Sequence, residues 1–173
     1  YLFASLLILL TACVREDIDV PQIDDVPEGY TRVTFKASAP SPTIGVSTRA
    51  VDPDGLDVNN MTLFCFNEFG LYISSEDAQL KTHSVDSGRF SAVIPNHTHI
   101  IHFIGNHSEG LYDESQFPGQ TESMVVANME GGSGMLVYWS RFQMDTASDK
   151  SISKQLQDLT YTVGGKVYKG VKL

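Results

Sequence analysis

The fold is decided by the stretch Val58-Asn-Asn-Met-Thr-Leu-Phe-Cys-Phe-Asn-Glu-Phe-Gly-Leu-Tyr-Ile-Ser74, which contains two hydrophobic segments separated by a turn. Residues 58–66 form the strongest apolar segment of the chain and predict a central strand. Residues 67–70 have the composition of a turn, and residues 71–74 are expected to return as the partner strand of a hairpin. Cys65 lies inside the first segment and is expected to be a buried apolar residue without reactivity.

The segments on either side of this hairpin also have strand patterns. Residues 31–39 alternate, with Val33, Phe35 and Ala37 on one face and polar residues on the other, which predicts a half-buried strand. The same reasoning predicts further strands, which are residues 88–95, 99–105 and 135–142, and a hairpin at residues 161–169.

Two other segments have a less regular pattern. Residues 76–81 are expected to form a short helical turn, and residues 124–129 either a short helix or a strand. No long amphipathic helix is present, and short strands alternate with turn residues along the chain. The sequence therefore predicts an all-β fold, a β-sandwich, which we assign to residues 30–173.

Composition agrees with a single domain of this kind. The chain has 173 residues, of which 42% are hydrophobic, so one core of ordinary size can form. The 14 Gly and 7 Pro are too many for a helical bundle and suit a turn-rich β protein. The formal net charge of -9 argues against nucleic-acid binding, because such a surface needs clustered Lys and Arg. Two Cys cannot form a disulfide framework.

The N-terminal segment has the features of a lipoprotein signal. Residues 1–10 are apolar, too short for a bilayer span of about 20 residues, and match the hydrophobic region of a signal peptide. Leu10-Thr-Ala-Cys13 follows, in the order of a bacterial lipobox, which makes Cys13 the predicted lipidation site. The basic start of such a signal is missing, so residues 1–12 are expected to be a signal remnant. Residues 13–29 are acidic, contain two Pro and predict a flexible tether.

Catalytic motifs are not found in the sequence, so we predict that the protein is not an enzyme and uses no cofactor and no metal. His97 and His99 would share one strand face, but zinc needs three or four convergent ligands. Ser133 lies between glycines without forming a nucleophile elbow, and neither a Walker loop nor a dinucleotide fingerprint is present. A metal-dependent enzyme using His97 and His99 is kept as the third alternative.

The order of these features resembles the fimbrillin family of Bacteroidales, the lipoprotein subunits of cell-surface fimbriae. The resemblance covers about residues 10–145. It is carried by the lipobox, the acidic tether, the alternating strand, a loop with Ser47-Thr-Arg49-Ala50, and the hydrophobic stretch at residues 58–70. Arg15-Glu16-Asp17 resembles the charged export signal of Bacteroidetes surface lipoproteins, and Asp145-Thr146-Ala147 resembles their O-glycosylation tripeptide, which makes Thr146 a candidate site. The matches fade beyond about Asp149 and the second domain of the family is not found, which is expected either of a truncated chain or of a short anchor-like or accessory member.

The resemblance implies a transthyretin-like Greek-key β-sandwich and a particular route of assembly. In the family, a trypsin-like protease cuts after an Arg in the loop that follows the first strand, and the matching position is Arg49, with Ala50 as the new N-terminus. The cut removes the lipid anchor and the first strand, whose Val33, Phe35 and Ala37 would fill pockets. A segment of a neighbouring subunit then occupies the vacated groove.

The predicted function is that of a non-enzymatic, surface-exposed lipoprotein of the cell outer membrane, acting in adhesion as a fimbrial (pilus) subunit or assembly component by donor-strand exchange. Its predicted partners are other fimbrial subunits, the outer membrane through the N-terminal lipid, and a host or bacterial surface ligand. The alternative is an uncleaved fimbrial anchor or a glycan- or ligand-binding surface lipoprotein. Its binding platform would be Tyr138 and Trp139, although the ordinary place of a Trp is the core.

Overall fold

The computed structural model of the protein describes residues 26–38, 58, 60–84, 87–107, 112–128 and 138–173. The strands in these residues are β1 Tyr30–Ser38, β2 Met61–Phe66, β3 Tyr72–Asp77, β4 Gln79–Ser84, β5 Ser87–Pro95, β6 Ile100–Gly105, β7 Tyr138–Gln143, β8 Thr160–Val163, β9 Lys166–Lys169 and β10 Val171–Lys172. The helices are α1 Glu122–Ala127 and α2 Ile152–Asp158, preceded by a 3₁₀ turn at Glu114–Gln116. Within the described ranges, no helix combines the length and the apolar composition that a membrane span requires.

Eight of the strands form two four-stranded sheets that pack face to face. Sheet one has the order β10-β1-β5-β4, and sheet two has the order β3-β2-β6-β7. The remaining strands, β8 and β9, form a separate hairpin. Consecutive strands change sheet between β1 and β2, between β3 and β4, and between β5 and β6. The all-β sandwich predicted from the sequence is confirmed.

The main core lies between the two sheets. Its buried members include Phe35 of β1, Phe90 of β5 and Phe103 of β6. The Phe35 ring centroid lies 5.0 Å from that of Phe103, edge to face, and 5.9 Å from that of Phe90. Such aromatic pairs contribute about 0.5–1.5 kcal/mol beyond the burial of their area. These rings therefore join the facing surfaces of the sandwich.

A second core covers the outer face of sheet two. Its buried residues are Phe64, Phe66, Tyr72, Ile100, Ile104, Phe117 and Val125. Phe117 follows the 3₁₀ turn and Val125 belongs to α1, so the segment between β6 and β7 supplies the cover. Because both faces of β2 and β6 are buried, every residue of these strands is apolar or buried polar. This explains why residues 61–66 are apolar except for Thr62, whereas β1 alternates.

The structure corrects two local predictions. The helical turn predicted at residues 76–81 is wrong, because these residues belong to the end of β3 and the start of β4, with Ala78 between them. Neighbouring strands supply the backbone partners: Thr62 pairs with Asp77, and the Ala78 N–H donates to the Met61 carbonyl. At residues 124–129 the structure selects the helix, since most of this segment lies in α1.

Helix α2 was not predicted. It is seven residues long, and its apolar residues Ile152 and Leu156 are buried one turn apart. Ser151 caps its N-terminus by accepting a hydrogen bond from the Lys154 N–H, which satisfies one of the unpaired amides of the first turn. Two apolar positions and one cap are a weak sequence signal, although α2 packs directly against β1.

Candidate functional site

Strand β1, the predicted exchange strand, has its apolar row fully inside the sandwich. Val33, Phe35 and Ala37 are at most 1% exposed, and all three belong to the main core. Burying a Val or Phe side chain stabilises the fold by roughly 1.5–3 kcal/mol. The sequence prediction that these three residues share one buried face is confirmed.

The two edges of β1 are held unequally. On one side, residues 30–37 pair with β5 in an antiparallel ladder from Tyr30 opposite Pro95 to Ala37 opposite Gly88. On the other side, β10 pairs in parallel register only with Ala37 and Ser38. Helix α2 lies against the strand as well. The long ladder to β5 is therefore the main backbone attachment of β1.

The remaining residues of the predicted processing mechanism fall in other parts of the chain. Cys13, Arg49 and Ala50 lie outside the described residues, as do the signal remnant and most of the tether. Thr146 is described, and it is exposed in a turn where the Ala147 N–H donates to the Asp145 carboxylate over 2.9 Å. The candidate tripeptide is accordingly accessible to solvent.

A second candidate site lies on the outer face of sheet two, beside α1. It is a cleft of about 580 Å³ whose lining includes Phe69, His102, Glu122, Trp139 and Arg141. The register of β6 and β7 places His102 opposite Arg141. The N–H of Glu122, the first residue of α1, donates to the Gly70 carbonyl over 2.8 Å, which fixes the helix above the sheet.

Four of these side chains form one hydrogen-bonded chain. The Trp139 indole N–H donates to His102 Nδ1 over 3.0 Å, and His102 Nε2 lies 2.7 Å from Glu122 Oε1. Arg141 donates to both Glu122 oxygens, through Nε to Oε1 and through Nη2 to Oε2, the latter over 3.1 Å. Arg141 Nη1 also donates to Gln143 over 3.1 Å. Each of these four side chains thus has at least one hydrogen-bond partner in the network.

The protonation state of His102 follows from this geometry. An indole N–H can only donate, so His102 Nδ1 must accept and is unprotonated. The proton then resides on Nε2, which donates to Glu122 as a neutral imidazole. Burial lowers the pKa of His102 and outweighs the raising effect of Glu122, in agreement with the neutral form. The hydrogen bonds from Arg141 lower the pKa of Glu122, which is therefore a carboxylate.

Within the described residues, His97 and His99 do not belong to a metal site. His97 and His99 both precede β6, so the prediction that they share a strand face is wrong: His97 lies in a turn, and His99 Nδ1 faces the His97 carbonyl at 3.1 Å. Across the described residues, no group of three or more His, Cys, Asp and Glu side chains could hold a metal ion. Cys65 is fully buried as predicted, and burial raises its pKa to about 12.

Sequence reasoning identified the first site and only one part of the second. Trp139 was named as a platform residue, but its ordinary place was expected to be the core, whereas it is 53% exposed. The sequence does place Trp139 and Arg141 on one face, because residues two apart on a strand share a face. His102 also stands out in the sequence, because it is a polar residue in the otherwise apolar strand β6. Glu122 does not stand out in the sequence, since only tertiary packing brings α1 to β7.

Comparisons with known proteins identify no relative. No protein-family model matches the chain, and no curated protein or solved structure is significantly similar to it.

Proposed function

We propose that the chain is a non-enzymatic cell-surface lipoprotein that serves as a fimbrial subunit or assembly component and engages its neighbours by donor-strand exchange. The single observation that supports this proposal is the placement of β1. Its row of Val33, Phe35 and Ala37 fills the core, while one of its edges is paired by another strand only at Ala37 and Ser38. A strand held in this way is the element that strand addition replaces.

Removal of β1 would leave a groove of defined chemistry. The groove would expose the faces of Phe90 and Phe103 that Phe35 now covers, together with the backbone ladder of β5 along residues 88–95. Open apolar surface and an unpaired strand edge favour pairing with another chain. The incoming strand would need apolar residues at alternate positions, as β1 has.

The proposed trigger is cleavage after Arg49, in the chain segment that follows β1. A cut at this position separates β1, the tether and the lipidated Cys13 from the rest of the sandwich. The part left behind would retain the β5 ladder that holds β1 and all of sheet two. The lipid anchor and the exchange strand would therefore leave together, which releases the subunit from the outer membrane as its groove opens.

The test combines brief trypsin treatment with strand replacement. The full chain is cut, the trypsin is inactivated, and the new N-terminus is sequenced. A fluorescent peptide with the sequence Tyr30-Thr-Arg-Val-Thr-Phe-Lys-Ala-Ser38 is then added in excess. We expect a fragment that starts at Ala50 and takes up the labelled peptide, as measured by fluorescence anisotropy. The uncut chain should take up none, because its groove is occupied.

Two controls make this test specific. The variant Arg49→Ala should resist cleavage at this position and remain unlabelled. A peptide carrying Phe35→Asp should not bind, because a carboxylate cannot enter the apolar groove without a large cost. Circular dichroism establishes that the cut chain remains folded. A folded, cut chain that takes up no peptide would refute strand exchange.

A second candidate function is favoured by the exposed Trp139. Here the protein is a ligand-binding surface lipoprotein, or an uncleaved fimbrial anchor with a binding role, and the cleft beside α1 is its site. The observation in its favour is a Trp that is 53% exposed while its indole N–H is already paired inside the protein. Binding that is lost in Trp139→Ala, with the fold intact, would support this function.

A further inference from the structure

We infer that the cleft formed by His102, Glu122, Trp139 and Arg141 binds a neutral, hydroxyl-rich ring, that is, one sugar residue of a carbohydrate. The inference rests on the second candidate function and names the ligand class of its site. The cleft volume of about 580 Å³ is within the roughly 300–1,000 Å³ of small-molecule sites. It joins aromatic surface to a few fixed polar groups, which is the usual composition of such a site.

The charge of the cleft favours a neutral ligand. Glu122 and Arg141 are paired through two hydrogen bonds, so their opposite charges compensate each other. His102 is neutral because its Nδ1 accepts from Trp139. An anionic ligand would meet the Glu122 carboxylate, and a cationic ligand would meet the Arg141 guanidinium. Neither sign of charge is complemented without breaking the existing pair.

The remaining hydrogen-bonding capacity fits hydroxyl groups. A guanidinium has five N–H donors, and Glu122 and Gln143 use three of those on Arg141. Glu122 Oε2 accepts from Arg141 alone among the bonds of this network, so it retains a lone pair. The hydroxyls of Thr121 and Ser123 lie 3.2 Å apart at the cleft wall. Donors and acceptors are therefore mixed, and a sugar hydroxyl can both donate and accept.

The apolar part of the cleft suits the C–H face of a sugar ring. Trp139 and Phe69 line the cleft and are 53% and 76% exposed. The hydrogen bond to His102 engages the edge of the indole and leaves its faces free of that contact. Because this bond also fixes the orientation of the indole before a ligand arrives, the ring does not lose much freedom on binding.

The single Trp of the chain provides the assay. Trp139 fluorescence is titrated with the methyl glycosides of glucose, galactose, mannose and N-acetylglucosamine, and with oligosaccharides of the same sugars. Glucuronate and glucosamine are the charged controls. We expect a saturable change with at least one neutral sugar, with a Kd of order millimolar for a single ring. A tighter response to the oligosaccharide than to its monosaccharide identifies a glycan chain, and an equal response identifies a free sugar.

Two variants give the result its specificity. Glu122→Gln keeps the shape of the side chain but leaves Arg141 uncompensated, so we expect about tenfold weaker binding of the neutral sugar and new binding of glucuronate. Trp139→Ala, followed by ligand-observed NMR because the fluorophore is lost, should abolish binding. Lys154→Gln on α2 is the matched surface control and should bind as the unmodified protein does. Circular dichroism checks that each variant is folded.

The outcomes separate this inference from the function on which it rests. A neutral sugar that saturates the Trp139 signal, with loss in both cleft variants, supports the inference. A signal that saturates with glucuronate or glucosamine but with no neutral sugar refutes the ligand class while the binding function stands. A signal that responds to none of these compounds also refutes the ligand class. Binding that survives in Trp139→Ala places the site elsewhere and also overturns the inference.

Discussion

The two sheets of the sandwich differ in how many of their faces are buried. Sheet two is covered on one face by sheet one and on the other by α1 and the 3₁₀ turn, whereas the outer face of β1 in sheet one carries partly exposed polar residues such as Thr34 and Lys36. The core strands of sheet two are held on both edges, because β2 pairs with β3 and β6, while β1 has one long ladder and one short one. Sheet two is thus more completely paired and covered than β1, the strand for which we propose exchange.

This difference also separates the two proposed functions in space. The groove for strand exchange opens on the inner face of sheet one, between the sheets. The sugar cleft lies on the outer face of sheet two, where Glu122 of α1 meets β7. A subunit could therefore exchange β1 without rebuilding its ligand site, because His102, Trp139 and Arg141 belong to strands that do not contact β1 as ladder partners.

The largest effect is expected from a matched pair of substitutions on the outer faces of the two sheets. Phe64 of β2 is fully buried and makes edge contacts with Tyr112 at 4.9 Å and Phe117 at 6.1 Å. Phe64→Ala should lower the free energy of unfolding by about 3–5 kcal/mol, because it removes a large side chain and leaves a cavity. Urea denaturation followed by circular dichroism measures this change.

Thr34→Ala is the counterpart in sheet one. Thr34 lies between the buried positions of β1 and is partly exposed, so the substitution should change the free energy of unfolding by no more than about 0.5 kcal/mol. Equal losses in the two variants would break the comparison, since they would mean that the outer face of β1 is packed as tightly as that of β2.

The sequence predicted the fold where local pattern and tertiary environment agree. The alternation of β1 and the continuous apolar run of β2 each state how many faces are buried, and both strands were predicted correctly. The helix prediction for residues 76–81 failed because Glu76, Ala78 and Lys81 have high intrinsic helix propensity, and pairing with neighbouring strands overrides that preference. Helix α2 was not predicted, because its stability comes from the packing of Ile152 and Leu156 rather than from an extended amphipathic pattern.

The candidate sites were predictable to different extents for the same reason. The apolar row of β1 is a property of one strand, so its three residues follow from period-two alternation. The cleft depends on contacts between α1, β6 and β7, which are far apart in sequence. No local pattern relates Glu122 to Arg141 or to His102. The sequence could relate Trp139 to Arg141 and mark His102 as a polar residue in an apolar strand, but the assembly of these residues with Glu122 is a property of the packed chain.

An intermediate effect on the free energy of unfolding is expected at the short ladder between β1 and β10. Gly170, just before β10, has φ +112°, and a Cβ at this position would lie 2.1 Å from the Lys36 carbonyl oxygen. Gly170→Ala should therefore force β10 away from β1 and lower the free energy of unfolding by about 1–3 kcal/mol. It should also make the labelled β1 peptide exchange faster after cleavage, as measured by anisotropy, because the second edge of the strand is weakened.

Gly164→Ala provides the control for backbone strain alone. Gly164 also has positive φ, +56°, but nothing lies within 4 Å of a Cβ built there. It should cost about 1 kcal/mol or less and leave the peptide exchange rate unchanged. If both variants accelerate exchange equally, the contact between Gly170 and β1 does not hold the strand. The rate of exchange would then not depend on the short ladder between β1 and β10.

The smallest effect on the free energy of unfolding is expected in sheet two, at His102 of β6, and it depends on pH. His102 is buried against Phe66 and Trp139, and the charged groups that face it are Glu122 on α1 and Arg141 on β7. Its pKa is lower in the folded chain than the ordinary value of about 6.5, so the unfolded chain takes up the proton first as the pH falls. The free energy of unfolding should therefore decrease below about pH 6.5, with a slope of at most about 1.4 kcal/mol per pH unit from this group.

His102→Gln removes this titration and isolates its contribution. The variant should be less stable at neutral pH, because the hydrogen bonds to Trp139 and Glu122 are altered, but the part of its pH slope between pH 7 and 5 that comes from His102 should disappear. Glu122 has a lowered pKa as well, so its stabilising charge is lost only at lower pH, below its ordinary range, and does not mask the result. Urea denaturation at half-unit steps of pH measures both slopes. If the two slopes coincide, the folded chain does not lower the pKa of His102, which would then be protonated below about pH 6.5. At such pH the site would carry a net positive charge and would favour an anionic ligand.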